Sequence, residues 1–199
     1  MPKAKEQFEE MRQEAVRKIK AAGLELFAQK GLAGTNIKEI AGKANISLGL
    51  MYHYYSSKDD LYLALANEAM DMSLALLNGL KKQPIGAREK IGGFIDGFLL
   101  GVRKYPDICY FIIYSQQCET KDEAQNKLLN SRKLEPIKLL AGIIKTGQRE
   151  GDFVKGDAMQ LATMLVAATQ GLAELRMALG NKFAMPGKEM LMQMIAPPF

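Results

Sequence analysis

Thr35-Asn36-Ile37-Lys38-Glu39-Ile40-Ala41-Gly42-Lys43-Ala44-Asn45-Ile46-Ser47-Leu48-Gly49-Leu50-Met51-Tyr52-His53-Tyr54-Tyr55 decides how this chain is read. Ile37, Ile40, Ala41 and Ala44 fall at i, i+3, i+4 and i+7, which places them on one face of a helix. Thr35 or Asn36 ahead of them can accept from the first free amides, and Asn36 with Glu39 also fits a capping box. The helix is expected to stop within Ala44-Asn45-Ile46, because asparagine tolerates the left-handed backbone of a sharp turn. Ser47 then caps a second helix from Leu48 to about Tyr55, with Met51 and Tyr55 turned toward the first. Leu48, Gly49, Leu50, Tyr52 and His53 are left largely outside. Two short capped helices about a tight turn form a helix-turn-helix, whose second helix can enter a major groove about 12 Å wide.

Ile40-Ala41, Asn45-Ile46-Ser47, Gly49-Leu50-Met51-Tyr52-His53-Tyr54-Tyr55 and Lys58-Asp59-Asp60-Leu61 together resemble the signature of TetR-type bacterial transcriptional repressors. The family pattern is a Gly-Val-Ser turn, then Gly-Thr-Leu-Tyr-x-Tyr-Phe, then a lysine, acidic residues and a leucine. Here Asn45 stands for the turn glycine, Leu50 for a frequent threonine and Tyr55 for the phenylalanine. The resemblance covers roughly the first third of the chain.

The composition agrees. The 199 residues carry a formal net charge of +5, and up to Lys58 there are ten Lys and Arg against six Asp and Glu. Most of the basic excess therefore lies beside the helix-turn-helix, where it favours phosphate contact. With 48% hydrophobic residues the chain can bury one substantial core or two small ones. Its longest apolar runs fall short of the roughly 20 residues that span a bilayer. The N-terminal stretch mixes lysine with glutamate, so no secretory leader and a cytoplasmic location are expected. Cys109 and Cys118 do not form a zinc-ribbon or redox-pair spacing, and thiols are expected. No metal site or cofactor is expected. His53 is the only histidine, and no nucleophile-elbow, zincin, P-loop or dinucleotide motif occurs, which argues against an enzyme.

The remainder reads as helices. From about Glu9 to Lys30, Phe8, Met11, Ala15, Ile19, Ala22 and Leu26 repeat at helical spacing, and Gly31 and Gly34 end the run. Ser57 can cap a long helix to about Leu80. Another from about Ala87 to Lys104 is apolar on nearly every face, with Gly93, Gly97 and Gly101 recurring every fourth residue. Each glycine costs a helix about 1 kcal/mol relative to alanine. Either close helix packing or room for a small molecule would offset that cost. Ile108 to Tyr114 alone could be a strand, but its all-helical surroundings favour a helix. Further helices are expected from about Asp122 to Arg149, from an Asp157 cap to about Leu179, and after Pro186.

The resemblance implies an all-α fold: a three-helix DNA-binding domain at 9–72, including the start of a connecting helix, and a ligand-binding and dimerisation domain at 73–199. It implies double-stranded operator DNA as partner and DNA contacts from Thr35, Lys38, Ser47, Leu48, Gly49, Leu50, Tyr52, His53 and Lys58. Lys58 and Tyr52 would meet phosphates; Leu48, Gly49 and Leu50 would choose sequence. It also implies a homodimer through the last two helices, for which Leu161, Leu165, Ala168, Leu172, Leu175, Met190 and Met194 are candidates. A dimer suits half-sites about 34 Å apart. A hydrophobic or aromatic effector would release the repressor from DNA. Phe94, Phe98, Tyr105, Tyr110, Phe111, Tyr114, Met164 and Met177 are candidate pocket liners, against ordinary core packing for each. Asp96 would face a polar ligand, pair with a base such as Arg103, or lie exposed. A corepressor-dependent or ligand-independent DNA binder is the alternative.

Overall fold

The computed structural model describes residues 2–104, 109, 110, 112, 113, 116, 119 and 123–196, with side chains from residue 6 onward. Among them there are helices and no strands. The chain divides into two compact units, Met1–Asn67 and Glu68–Phe199.

The first unit begins with α1 (Pro2–Gly34), interrupted at Gly31, whose φ of 69° is left-handed. The helix thus starts ahead of the expected Glu9, and the chain resumes one further turn after the Gly31 break. Only part of its apolar stripe is buried. Ile19, Ala22 and Leu26 lie in the core, whereas Phe8 and Met11 are more than 70% exposed. α2 (Ile37–Lys43) and α3 (Leu48–Tyr54) follow, then α4 (Lys58–Lys82). Ile19, Phe27, Ile40, Met51, Leu61 and Leu65 are fully buried, so each of these helices delivers at least one side chain to one small core. Phe27 and Tyr62 meet edge to face with ring centroids 5.3 Å apart, a geometry that aromatic quadrupoles favour. A β-carbon at Gly23 would stand 2.6 Å from Leu61 Cδ2, so glycine lets α1 and α4 approach here.

Residues of α4 beyond Asn67 belong to the second unit. With them pack α5 (Ala87–Lys104), α6 (Glu123–Glu150), α7 (Ala158–Leu179), a 3-10 turn at Gly180–Lys182 and α8 (Lys188–Met192). Leu77, Ile91, Ile95, Leu140, Ile144 and Leu165 form the fully buried centre. α6 contains Pro136 and ends at Gly151, φ 86°. The Asp152 amide donates back to the Gly147 carbonyl at 2.8 Å, the six-to-one bond of a Schellman motif. Asp157 caps α7 through Oδ1, accepting from Met159 and Gln160 amides at 2.7 and 3.2 Å.

α5 departs from the expectation of an all-round buried helix. Ile91, Phe94, Ile95, Phe98, Leu99 and Val102 face the core, but Asp96, Leu100, Arg103 and Lys104 are exposed. Its glycines serve close packing. A β-carbon at Gly93 would lie 2.7 Å from Leu80 Cδ2, and one at Gly97 would lie 3.1 Å from Leu76 Cδ2. Of the segment expected as helix at 108–114, Cys109, Tyr110, Ile112 and Ile113 are helical, and its other residues lie outside the described ones. Cys109 is a buried thiol; Cys118 also lies outside.

Candidate nucleic-acid interface

The two short helices owe their limits to polar atoms placed against the backbone. Asn36 Oδ1 accepts from the Lys38 amide at 2.9 Å, while Glu39 Oε2 accepts from the Asn36 amide at 3.3 Å. Both halves of the capping box are present, so Asn36 and not Thr35 caps α2. Glu39 also takes the Lys30 ammonium at 2.9 Å. That hydrogen bond, with the Asn36 amide second, holds its carboxyl below the ordinary carboxylate range. Lys43 Nζ donates to Glu25 Oε1 at 2.7 Å. α2 ends at Ala44, and Asn45 takes φ 54°, as a left-handed turn residue should. Ser47 Oγ then accepts from the Leu50 amide at 3.1 Å and starts α3.

Met51, completely buried, fixes α3 against the core. Gly49, Leu50, Tyr52 and His53 are exposed around the opposite side. Leu50 and Tyr52 are 37% and 49% exposed, high values for side chains of their size. Leu48 is half-buried, so it is less open than expected. Nothing approaches within 4 Å of a β-carbon built at Gly49, so the helix backbone is bare there. His53 packs against Tyr54 edge to face at 5.2 Å. Lys38 projects from α2 as an exposed cation and forms no ion pair among the described residues.

Two residues expected to contact DNA are engaged within the unit itself. Thr35 is only 3% exposed, and its hydroxyl donates to the Gly31 and Leu26 carbonyls at 2.7 and 3.2 Å. It closes the broken end of α1 and cannot offer that proton outward. Lys58 Nζ donates to the carbonyls of Leu32, Thr35 and Ala33 at 2.7, 2.9 and 3.2 Å. An ammonium has three protons, and these three acceptors use them all. The end of α1 leaves carbonyls that no amide further along the helix can meet, and Lys58 supplies donors to them. No local pattern marks this contact, because the acceptors lie more than 20 positions away. Asn36 and Ser56 were not among the expected contacts. Both border an open hollow beside Tyr52 that also involves Gly34, Ile37 and Ser57.

The second unit scatters the residues expected to share a pocket. Phe94 and Phe98 are buried in its core, and Tyr110 is half-buried. Tyr105, Phe111 and Tyr114 lie outside the described residues. Met164 and Met177 are 50% and 38% exposed on α7, and so do not face the enclosed core. Asp96 is also exposed, and its partner is Lys188 at 2.6 Å instead of Arg103. Of the expected interface residues, Leu165 is fully buried within its own protomer, where α7 packs on α6 and α5. Leu161, Leu172 and Met194 are partly buried against the same core, as Ala168 is half-buried on α7. Leu175 and Met190 are 46% and 65% exposed. Among the described residues, no cluster of three or more His, Cys, Asp or Glu could hold a metal ion, and no helix is long and apolar enough to cross a membrane.

Comparison with known proteins bears on the whole arrangement. Residues 19–65 match the family model for bacterial regulatory proteins of the tetR family. The HTH-type transcriptional regulator RutR of Escherichia coli O157:H7 is 29% identical over 161 residues, covering 78% of this chain and 72% of that protein. The crystal structure of the MbdR regulator from Azoarcus sp. CIB superposes with a TM-score of 0.73 at 26% identity, covering 90% of this chain and 95% of MbdR. AibR in complex with isovaleryl coenzyme A and operator DNA shares the fold at 19% identity, with a TM-score of 0.72 over 93% of this chain and 100% of that one. The matched segment contains α2, the Asn45 turn and α3 entire, and the relatives are named as regulators of transcription. Residues 19–65 thus carry the DNA-binding segment of the tetR family of bacterial regulatory proteins, and the all-helical fold of such regulators is shared along most of the chain.

Proposed function

We propose that the protein is a repressor that binds a palindromic operator as a homodimer and is released by a small-molecule effector in its second unit. The observation that carries this reading is α3. It is anchored by one buried methionine and capped at Ser47, and it turns Gly49, Leu50, Tyr52 and His53 outward. Leu50 would read a thymine methyl or another apolar base edge, and the bare backbone at Gly49 would allow close approach to the groove. Half-buried Leu48 would contribute at the margin. Ser47 already accepts from Leu50, but its hydroxyl proton remains available for a phosphate. Lys38 and Tyr52 would position the helix on the backbone, and His53 would sit at the groove edge.

α7 supports the dimer. Ala162, Leu165, Thr169 and Ala173 turn inward. Met164, Ala168, Gly171, Leu175 and Leu179 follow at helical spacing on another side, where Met164, Leu175 and Leu179 are each 46–54% exposed. A second copy of the same face would cover it and pair two reading heads. The effector would act by favouring a state in which those heads no longer match adjacent grooves. By linkage, operator must then weaken effector binding by the same factor. AibR, crystallised with isovaleryl coenzyme A and operator DNA together, offers a precedent for one fold meeting both kinds of partner.

The test is selection of bound fragments from genomic DNA by the purified protein, followed by a salt series on the enriched site. A palindrome with steep salt dependence is the expected result. Enrichment of no site across a range of protein concentrations would overturn the reading.

A further inference from the structure

A groove on the second unit has the chemistry of a binding site, and none of its lining residues comes from α7. Its apolar wall is made by Ile85, Leu139 and Ile143, contributed by the α4–α5 connection and by α6. Lys81 from the end of α4, Lys90 from α5 and Lys138 from α6 surround that wall. Glu150 is the single carboxylate among the lining residues. None of the three lysines forms an ion pair among the described residues, although ion pairs are made elsewhere on the surface by Lys18, Lys30, Lys43, Lys127 and Lys188. Three lysines from three different helices thus line one groove with a single carboxylate among its lining residues.

Gly142 supplies the second observation. It lies in the interior of α6 and lines the groove. Gly93, Gly97 and Gly147 each have a neighbouring side chain that a β-carbon would crowd, but nothing lies within 4 Å of one built at Gly142. Glycine weakens a helix interior, and packing gives no reason for it at this position. The groove does, because any side chain at 142 would project into its open space.

We infer that this groove binds a small organic anion with an apolar tail, the tail lying along Ile85, Leu139 and Ile143 across bare Gly142 and the anionic head held by Lys81, Lys90 and Lys138. Its volume of 360 Å³ falls at the lower end of small-molecule sites, which run from about 300 to 1,000 Å³. Thr146 lines the same groove; its Oγ donates to the Gly142 carbonyl at 3.2 Å and accepts from the Arg149 guanidinium at 3.3 Å. The inference goes beyond the DNA-binding reading and does not depend on it.

Octanoate and octanol, equal in chain length and different in charge, are suitable probes for calorimetric titration of the full chain without DNA. Octanoate should bind saturably, and octanol about tenfold or more weakly, since charge-assisted contacts are lost. Gly142→Leu should abolish octanoate binding while the thermal midpoint stays the same or rises. Lys90→Gln with Lys138→Gln should weaken octanoate about tenfold and leave octanol unchanged. Equal affinity for both probes, undiminished binding to a folded Gly142→Leu protein, or no octanoate binding would each overturn the inference. Because DNA is absent, none of these results bears on operator recognition, and failure to find an operator would not alter them.

Discussion

At the start of α3, Ser47 Oγ takes the Leu50 amide at 3.1 Å; in the middle of α5, a β-carbon at Gly93 would stand 2.7 Å from Leu80. The contrast runs through the two units. In Met1–Asn67, side-chain oxygens and one ammonium end helices and hold the turns between them: Asn36 on Lys38, Thr35 on Gly31, Ser57 Oγ on the Asp60 amide at 3.0 Å, Lys58 on three carbonyls. Glu68–Phe199 also has a polar cap at Asp157, but close approach of glycine to bulky apolar groups recurs along its helices, at Gly93 with Leu80, Gly97 with Leu76 and Gly147 with Phe153, whereas the first unit has it at Gly23 with Leu61. Polar caps fix direction over one or two residues, which a reading head needs. Apolar packing fixes distance between helices and is indifferent to small rotations, which suits a unit that would respond to an effector.

The largest effect expected from this contrast is at Gly147. A β-carbon there would lie 2.4 Å from the Phe153 ring and 2.9 Å from Ala87, so Gly147→Ala must push two elements apart. Overpacking of this kind costs about 1–3 kcal/mol, and denaturant unfolding should place the loss near the upper end. Five residues earlier, Gly142→Ala should instead stabilise by about 1 kcal/mol, the intrinsic helix preference with no clash to oppose it. If both substitutions destabilised equally, clearance would not be what distinguishes the glycines of α6.

Lys58 comes next. Lys58→Met keeps much of the side-chain stem and removes the three donated bonds. Leaving carbonyls without charged donors should cost about 1–3 kcal/mol, moderated because water can reach some of them. The decisive readout is the salt dependence of DNA binding. It should be unchanged in Lys58→Met at a temperature where the protein is folded, whereas Lys38→Ala should lower the slope by about 1. A lower slope for Lys58→Met would return Lys58 to the phosphate backbone.

How much of this was legible follows from the same distinction. The α2 and α3 limits, the Asn45 turn and the Ser47 and Asp157 caps could be read because each is a short-range arrangement of backbone and side chain. The bonds of Lys58 were not legible because its acceptors lie at the end of α1 and just beyond it, brought near only by folding. The α7 methionines were misread for another reason. Periodicity finds that Met164 and Leu165 lie on adjacent apolar strips but not which strip meets the core; the structure buries Leu165 and leaves Met164 half exposed. The lysine groove is assembled from the α4–α5 connection and two further helical segments, and no spacing in the sequence connects Lys81, Lys90 and Lys138.

Asn36→Ala should cost about 1 kcal/mol through loss of the α2 cap, read by amide exchange at Lys38 and its neighbours. Loss confined to α2, with the second unit unaffected, would match the local character of these contacts; a change spread over both units would contradict it.

The smallest effect belongs to Glu39, the other half of that capping box. Its carboxyl is held below the ordinary value of 4.5, first by the Lys30 hydrogen bond and then by the Asn36 amide. A carboxyl that releases its proton more readily when folded binds fewer protons than the unfolded chain, so stability rises with pH across this window. The contribution is complete above the ordinary value and fades as pH falls through the lowered folded one. Lys30 and Glu39 are solvent-exposed, and salt will weaken their attraction. Glu39→Gln should therefore flatten the acid limb of the first unit's stability only slightly, and less in high salt than in low. An acid limb identical in the two proteins at low salt would show that Lys30 and Glu39 do not hold α2 to α1, leaving that task to Ile40 and Ala41 in the core.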